Sequence, residues 1–82
     1  MSNVKLLFFA TLRDRAGMKS LEMQIPAGTT VGALKDRIVE QIPALAASIP
    51  TVLVAINREY AADEALVPDG ADVAFFPPVS GG

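Results

Sequence analysis

The chain lacks the side chains on which most catalytic sites depend. Its 82 residues include no histidine and no cysteine, so there is no imidazole base, no thiolate nucleophile and no plausible set of zinc ligands. The four serines therefore have no histidine to activate them. The nine acidic side chains are scattered, which is typical of a solvated surface. We expect no catalytic site and no metal site within the chain, and a role as a partner or carrier.

Two further absences limit the kinds of partner. The net charge is −2 and the sequence pI is about 4.8, which argues against nucleic acid, because phosphate binding needs a basic patch. The sequence has no apolar run of about eighteen residues, so we expect no membrane span. The N-terminal stretch reads as a strand and not as a signal peptide. Together with the missing cysteine, these features predict a cytoplasmic protein.

Apolar side chains, in contrast, are plentiful. They make up 51% of the residues and the mean hydropathy is +0.39, so a compact core can form without the help of a disulfide. We predict one domain over residues 1–82, in which residues 77–82 form a flexible C-terminal tail.

Four stretches are predicted to form β-strands. Residues 20–25 alternate cleanly between apolar and polar side chains. Residues 4–10 are largely apolar on both faces, as in a central strand, residues 51–57 are rich in β-branched side chains, and residues 72–76 contain a short buried-strand run. A short edge strand is predicted around Tyr60. Between the first two strands, residues 11–19 are predicted to form a polar turn in which Gly17 takes a positive φ.

One stretch has the helical period. Thr29 or Thr30 is the predicted cap, and Pro43 ends the helix. Its apolar stripe consists of Val31, Leu34, Ile38 and Ile42. Residues 44–49 are ambiguous and are compatible with one further helical turn.

A hairpin, a helix and further strands together predict an α+β fold with one sheet and one helix across one face. In the simplest closure, the first and last strands lie side by side at the centre of the sheet. The residues expected in the core are Leu6, Phe8, Leu34, Ile38, Val54 and Phe75.

A single helix leaves one face of the sheet uncovered. If Phe8 and Phe75 point toward the helix, Phe9 and Phe76 point the other way, because adjacent strand residues alternate. A contiguous exposed apolar patch is typical of a protein-docking surface, and Tyr60 is a candidate third member. Alternatively, the tail or the segment after Tyr60 folds over this face and buries it.

The last strand runs directly into the tail. Pro77 lacks an amide donor, so the strand should end near Phe76. An extended chain advances roughly 3.3–3.6 Å per residue, so the tail reaches about 20 Å. Gly81 and Gly82 have no side chains and can pass through a narrow channel, and the carboxylate of Gly82 is the group with obvious acyl chemistry. The alternative is that the two glycines are merely a fraying end or an expression remnant.

These stretches form a recognisable pattern. VKLLFFATLRDRAG at the start, VLVAIN in the middle and GADVAFFPPVSGG at the close resemble the molybdopterin synthase small subunits, the MoaD-type sulfur carriers. The resemblance covers essentially the whole chain, and FFPPVSGG is its most specific part. It implies the ubiquitin-like β-grasp fold, in agreement with the α+β arrangement expected above.

The resemblance also implies a function in molybdenum cofactor biosynthesis. In that family an ATP-dependent activating enzyme, related to the ubiquitin activators, adenylates the C-terminal glycine carboxylate, which is then converted to a thiocarboxylate. The tail enters the large subunit of the synthase, where the sulfur builds the dithiolene of molybdopterin on cyclic pyranopterin monophosphate. The chain would then be a sulfur-donor subunit of a heterotetrameric synthase, with no cofactor bound and with the catalytic groups in the large subunit.

The resemblance assigns roles to particular residues. Gly82 would carry the sulfur and Gly81 would allow its passage. The hydrophobic docking positions of the family are matched by Phe9, Phe76 and Tyr60, although an aliphatic residue is usual at the last. Arg13 falls in the basic stretch after the first strand, which implies contact with the activating enzyme. The other tail residues that would enter the partner are Pro77, Pro78, Val79 and Ser80.

Other functions are compatible with the same features. A related sulfur carrier for thiamine synthesis or tRNA thiolation would also end in Gly-Gly. A ubiquitin-like modifier would be joined through Gly82 to lysines of target proteins. A passive binding domain would keep its function without Gly82.

The predicted tail leads to a first test by amide hydrogen exchange. In the isolated protein, the amides of Ser80, Gly81 and Gly82 should exchange rapidly, because the prolines before them end the strand pairing. The amide of Phe75, within the last strand, is the internal control and should be protected. Strong protection at Ser80 to Gly82 would contradict the prediction.

Overall fold

The chain folds into five strands and two α-helices in a computed structural model that describes residues 1–78. The strands are β1 (Ser2–Phe8), β2 (Ser20–Ile25), β3 (Leu53–Ile56), β4 (Glu59–Tyr60) and β5 (Asp72–Phe76), and the α-helices are α1 (Thr11–Ala16) and α2 (Val31–Gln41). Two short 3-10 helices, Pro43–Leu45 and Ile49–Thr51, connect α2 to β3.

The strands form one mixed sheet in the order β2-β1-β5-β3-β4. At its centre β1 and β5 run parallel, with Leu6 beside Val73 and Phe8 beside Phe75. The β1–β2, β5–β3 and β3–β4 pairs are antiparallel. The first and last strands therefore lie side by side, and the predicted α+β fold is confirmed.

Helix α2 begins and ends as its sequence indicates. The hydroxyl of Thr30 accepts a hydrogen bond from the amide of Ala33, as expected for a helix cap. The amide of Ile42 donates to the carbonyl of Ile38, and Pro43 follows, which cannot continue the helix. The four residues of the predicted stripe are all buried: Val31, Leu34, Ile38 and Ile42.

The core lies between α2 and one face of the sheet. The six predicted core residues are all buried, with 0% to 4% of their surface exposed: Leu6, Phe8, Leu34, Ile38, Val54 and Phe75. The rings of Phe8 and Phe75 stack at the centre, with centroids 5.8 Å apart.

The prediction of a polar turn over residues 11–19 is wrong, since this region contains α1. Leu12 is 1% exposed and holds the helix to the core. A helix this short with one buried residue has no apolar period to detect. The positive φ predicted for Gly17 is confirmed at 73°, and its amide donates to the carbonyl of Arg13 at the end of α1.

Some strand ends also differ from the predicted bounds. Strand β1 lies two residues earlier than predicted, because Ala10, with φ 53°, turns the chain into α1. Strand β3 is shorter, because Ile49–Thr51 forms a 3-10 helix before it. The ambiguous residues 44–49 belong partly to the two 3-10 helices. Strands β2 and β5 have the predicted bounds.

The segment after β4 packs against the start of α2. The amides of Val31 and Gly32 donate to the carbonyls of Ala65 and Asp63 at 2.9 and 3.0 Å. The ammonium of Lys35 lies 2.7 Å from a carboxylate oxygen of Asp63. This segment therefore lies on the helix side of the sheet, and the alternative that it covers the opposite face is wrong.

Phe8→Ala tests this assignment of the two faces. Because Phe8 is 2% exposed and stacks on Phe75, its truncation should reduce the free energy of unfolding by about 3–5 kcal/mol. Urea unfolding followed by circular dichroism measures the change. A loss below about 1 kcal/mol would contradict the assignment, since Phe8 would then be a surface residue.

Candidate functional site

The face of the sheet that turns away from α2 carries an apolar row. Leu7, Ala74, Ala55 and Tyr60 are successive neighbours across β1, β5, β3 and β4. Tyr60 stands at the edge of the sheet with 78% of its surface exposed. All four residues line an open groove of about 530 Å³.

Two phenylalanine rings close one end of this groove. Phe9 and Phe76 stack with centroids 4.7 Å apart and ring planes 13° from parallel. Phe9 is 42% exposed, and the backbone amide of Phe9 donates to the carbonyl of Phe75, which holds the two chain segments together. Leu53 lies opposite Phe76 on β3 and is 37% exposed. The sheet pairing thus brings together an exposed aromatic cluster at the end of β5, where the tail starts.

The predicted docking residues Phe9, Tyr60 and Phe76 all line this one groove. We refer to it as the docking groove, and its complete lining is Leu7, Phe9, Ala55, Asn57, Arg58, Tyr60, Asp72, Ala74 and Phe76. An aromatic side chain supplies a large apolar contact area, and Tyr60 adds a hydroxyl at the rim, so the groove suits a protein partner.

The other end of the groove is polar, and no site residue was predicted there. Asn57 and Arg58 form the turn between β3 and β4, with φ of 48° and 73°. The amide of Asp72 donates to the side-chain oxygen of Asn57, and the amide of Asn57 donates to the carbonyl of Asp72. An asparagine in a two-residue turn was the available signal, because asparagine tolerates a positive φ.

The remaining predicted site residues lie outside the groove or beyond the described part of the chain. Arg13 is exposed on α1. Pro77 and Pro78 follow β5 and line a separate depression beside α1. Four predicted residues are not among those that the structure describes: Val79, Ser80, Gly81 and Gly82.

The described residues offer a binding surface and no cluster suited to a metal. Within residues 1–78, no group of three or more acidic side chains could hold a metal ion. In the same range, no helix has the length and apolar character needed to cross a membrane. The feature of these residues with clear functional character is therefore the docking groove beside the start of the tail.

The chain matches a known protein family over nearly its whole length. The family model of the ThiS family matches residues 6–82. Among curated proteins, the molybdopterin synthase sulfur carrier subunit of Escherichia coli is 37% identical, covering 96% of this chain and 99% of its own length. The subunit of the same name from Mycobacterium tuberculosis is 32% identical, with both chains covered completely.

Solved structures give the same fold. Small archaeal modifier protein 1 of Haloferax volcanii superposes with a TM-score of 0.86 at 30% identity, covering 99% of this chain and 100% of that chain. A protein described as a molybdopterin converting factor subunit 1 from Pyrococcus furiosus gives a TM-score of 0.87 at 28% identity, covering 96% of this chain and all of that chain. Urm1 of Trypanosoma brucei has a TM-score of 0.72 at 19% identity, covering 99% of this chain and 96% of that chain. The likeness of fold therefore extends to ubiquitin-like proteins.

Charged substitutions on the two neighbouring rings test whether the groove is free surface in the isolated protein. Phe76→Asp should leave the cooperative unfolding transition largely intact, because the ring faces outward and is part-exposed. Phe75→Asp is the matched variant and should unfold the chain, because it places an unpaired charge in the core. Thermal melts of both variants measure the difference. Equal destabilisation by the two substitutions would mean that Phe76 is a core residue.

Proposed function

The chain belongs to the ThiS family, and its curated relatives are molybdopterin synthase sulfur carrier subunits; on that premise we propose that it carries sulfur for molybdopterin synthase. Two observations support the proposal. The relatives from Escherichia coli and Mycobacterium tuberculosis match along almost the whole of both chains, and the family model extends to Gly82. The docking groove beside the start of the tail is the structural observation that carries it.

The proposed chemistry takes place on the carboxylate of Gly82. A carboxylate oxygen attacks the α-phosphorus of ATP on the activating enzyme, pyrophosphate leaves, and an acyl-adenylate forms. A sulfur nucleophile then displaces AMP, which leaves a thiocarboxylate. Two charged carriers would each transfer one sulfur to cyclic pyranopterin monophosphate in the large subunit, which builds the two-sulfur dithiolene, and water would return the carboxylate of each carrier. Adenylation is needed because a carboxylate is a poor electrophile until it acquires a good leaving group.

The composition is consistent with this division of labour. The chain has no histidine and no cysteine, so the acid–base and nucleophilic groups would belong to the two enzymes that bind it. A carrier without cysteine also offers no internal thiol that could form a mixed disulfide with a partner.

The groove has a role in this proposal that is separate from the chemistry. Phe9, Phe76 and Tyr60 would provide the contact with the large subunit, and the tail would extend from Phe76 into the active site. Because β5 is paired on both sides by β1 and β3, a partner seated on Phe76 is held in a fixed position relative to Pro77. The contacts in the groove would thus position the reacting carboxyl group. Enzymes likewise use binding energy from parts of a substrate that do not react to orient the part that does.

A second candidate is a protein modifier joined through Gly82 to lysine side chains. It is favoured by the likeness to small archaeal modifier protein 1, at 30% identity and a TM-score of 0.86. Both functions begin with an activated C-terminal carboxylate and differ in the nucleophile that follows, which is sulfur in a carrier and a lysine amine in a modifier. Purification from the source cells separates them, because a modifier would be recovered partly as conjugates with other proteins.

Two variants separate docking from chemistry. Phe76→Asp should weaken binding to the large subunit by about 30-fold or more, equivalent to about 2 kcal/mol, as for a central aromatic anchor. Deletion of Gly82 should leave that affinity nearly unchanged and abolish product formation. The carboxyl group would then lie one residue short, roughly 3.3–3.6 Å, and a displacement of about 1 Å can already cost on the order of 100-fold in rate.

The measurements are titration calorimetry with the purified large subunit and product formation from cyclic pyranopterin monophosphate. Arg37→Glu, on the exposed side of α2, is a control for charge changes away from the groove. Near-normal product formation after deletion of Gly82 would contradict the carrier proposal. Unchanged affinity of Phe76→Asp would contradict the docking assignment alone.

A further inference from the structure

Arg58 occupies a backbone conformation that an arginine rarely adopts. Its φ is 73°, and that of Asn57 before it is 48°. In such two-residue hairpin turns, both positions need a positive φ, and glycine is strongly preferred at the second. A side chain with a Cβ is disfavoured there, because the Cβ comes too close to the following carbonyl oxygen. The backbone of this turn would thus be more stable with glycine than with arginine.

Arg58 lines the docking groove. Of the residues that line it, Arg58 and Asp72 are charged. Asp72 has an opposite charge beside it, because it pairs in register with Lys5 on β1. Glu59 is not among the residues that line the groove and lines a separate depression. Within residues 1–78, the ion pair closer than 4.0 Å joins Lys35 to Asp63, so Arg58 has no such partner in that range.

Arg58 is close enough to the aromatic end of the groove to be reached by a protein that binds there. Asp72 and Phe76 are four residues apart on β5, which corresponds to about 13 Å at about 3.3 Å per residue. Arg58 follows Asn57, which is hydrogen-bonded to Asp72. A protein interface of standard size covers about 800 Å² on each side, equivalent to a disc of about 16 Å radius. An interface centred on Phe9 and Phe76 therefore extends past Asp72 toward the turn that carries Arg58.

We propose that Arg58 is a specificity-determining residue of the docking groove and that it binds a carboxylate on the large subunit. This inference rests on the proposed function, since it assumes that the large subunit occupies the groove. A guanidinium that loses water against an apolar contact needs an opposite charge to compensate. The planar fork of arginine fits a carboxylate with two parallel hydrogen bonds, which lysine cannot match.

The aromatic end of the groove then supplies contact area, and Arg58 determines which partner proteins can bind. Apolar side chains accept many apolar surfaces, whereas a charged group rejects a partner that brings a like charge or nothing to pair with it. An acidic side chain on the large subunit, facing the β3–β4 turn, would fix the orientation of the carrier. The tail would then point into the active site in a single register.

Three substitutions at Arg58 test the proposal, with affinity for the purified large subunit measured at low and at physiological salt. Arg58→Gly should bind about 10-fold more weakly at low salt, and its salt dependence should be shallower than that of the wild type, because one ion pair is lost. Arg58→Lys should keep part of the affinity. Arg58→Glu should weaken binding about 100-fold. Arg37→Glu, which makes the same charge reversal on α2, should change it less than 3-fold.

A thermal melt of each variant distinguishes recognition from folding. Arg58→Gly should melt at the same temperature as the wild type or higher, because glycine accepts the positive φ. Weaker binding together with unchanged or greater stability is a combination that a purely structural role would not produce. Affinity of Arg58→Gly and Arg58→Glu equal to that of Arg37→Glu would overturn the inference. The inference would also be overturned if the Arg58 variants lost the same affinity for the large subunit at both salt concentrations. It would be overturned as well if they bound the large subunit normally and lost affinity only for the activating enzyme.

The test also separates this inference from the proposal on which it rests. If Phe76→Asp weakens binding to the large subunit and the Arg58 variants do not, the groove is the docking site and the role of Arg58 is wrong. If neither residue affects binding, the docking assignment itself is wrong, and the inference about Arg58 falls with it.

Discussion

The structure depends on the fact that one helix can cover only one face of a five-stranded sheet. Strand residues alternate between the faces, so neighbouring phenylalanines are divided into an inner and an outer pair. Phe8 and Phe75 stack under α2 and form the centre of the core. Phe9 and Phe76 stack on the outside. Stability and docking are thereby assigned to different residues, even though these residues are adjacent in the chain.

The position of β5 connects the outer surface to the tail. As a central strand, β5 is hydrogen-bonded to β1 on one side and to β3 on the other. Its last residue, Phe76, belongs to the docking groove, and Pro77 follows directly. A partner that binds the groove therefore holds the origin of the tail, and the reach of the remaining residues then decides where Gly82 is placed. In this account a rigid sheet supplies the position and a short terminal segment supplies the chemistry.

Much of this arrangement could be predicted from the sequence because its signals are periodic. The helical stripe from Val31 to Ile38 and the alternation around Phe8 and Phe75 gave the correct faces and the central strand pair. Helix α1 was missed because one buried residue, Leu12, leaves no period. Arg58 was missed for a different reason. Its significance depends on a positive φ, which the preceding Asn57 already indicates, and on its location beside residues of β5, which becomes visible only in three dimensions.

The central claim is that the C-terminal carboxyl group carries sulfur to the large subunit. The most direct test is intact mass spectrometry of protein that has been charged by the activating enzyme with ATP and a sulfur donor, before and after mixing with the large subunit and cyclic pyranopterin monophosphate. We expect the charged protein to be heavier by the replacement of one oxygen with sulfur, and this increment to disappear in step with product formation. Product formation while the increment persists, or a failure to acquire it at all, would contradict the account.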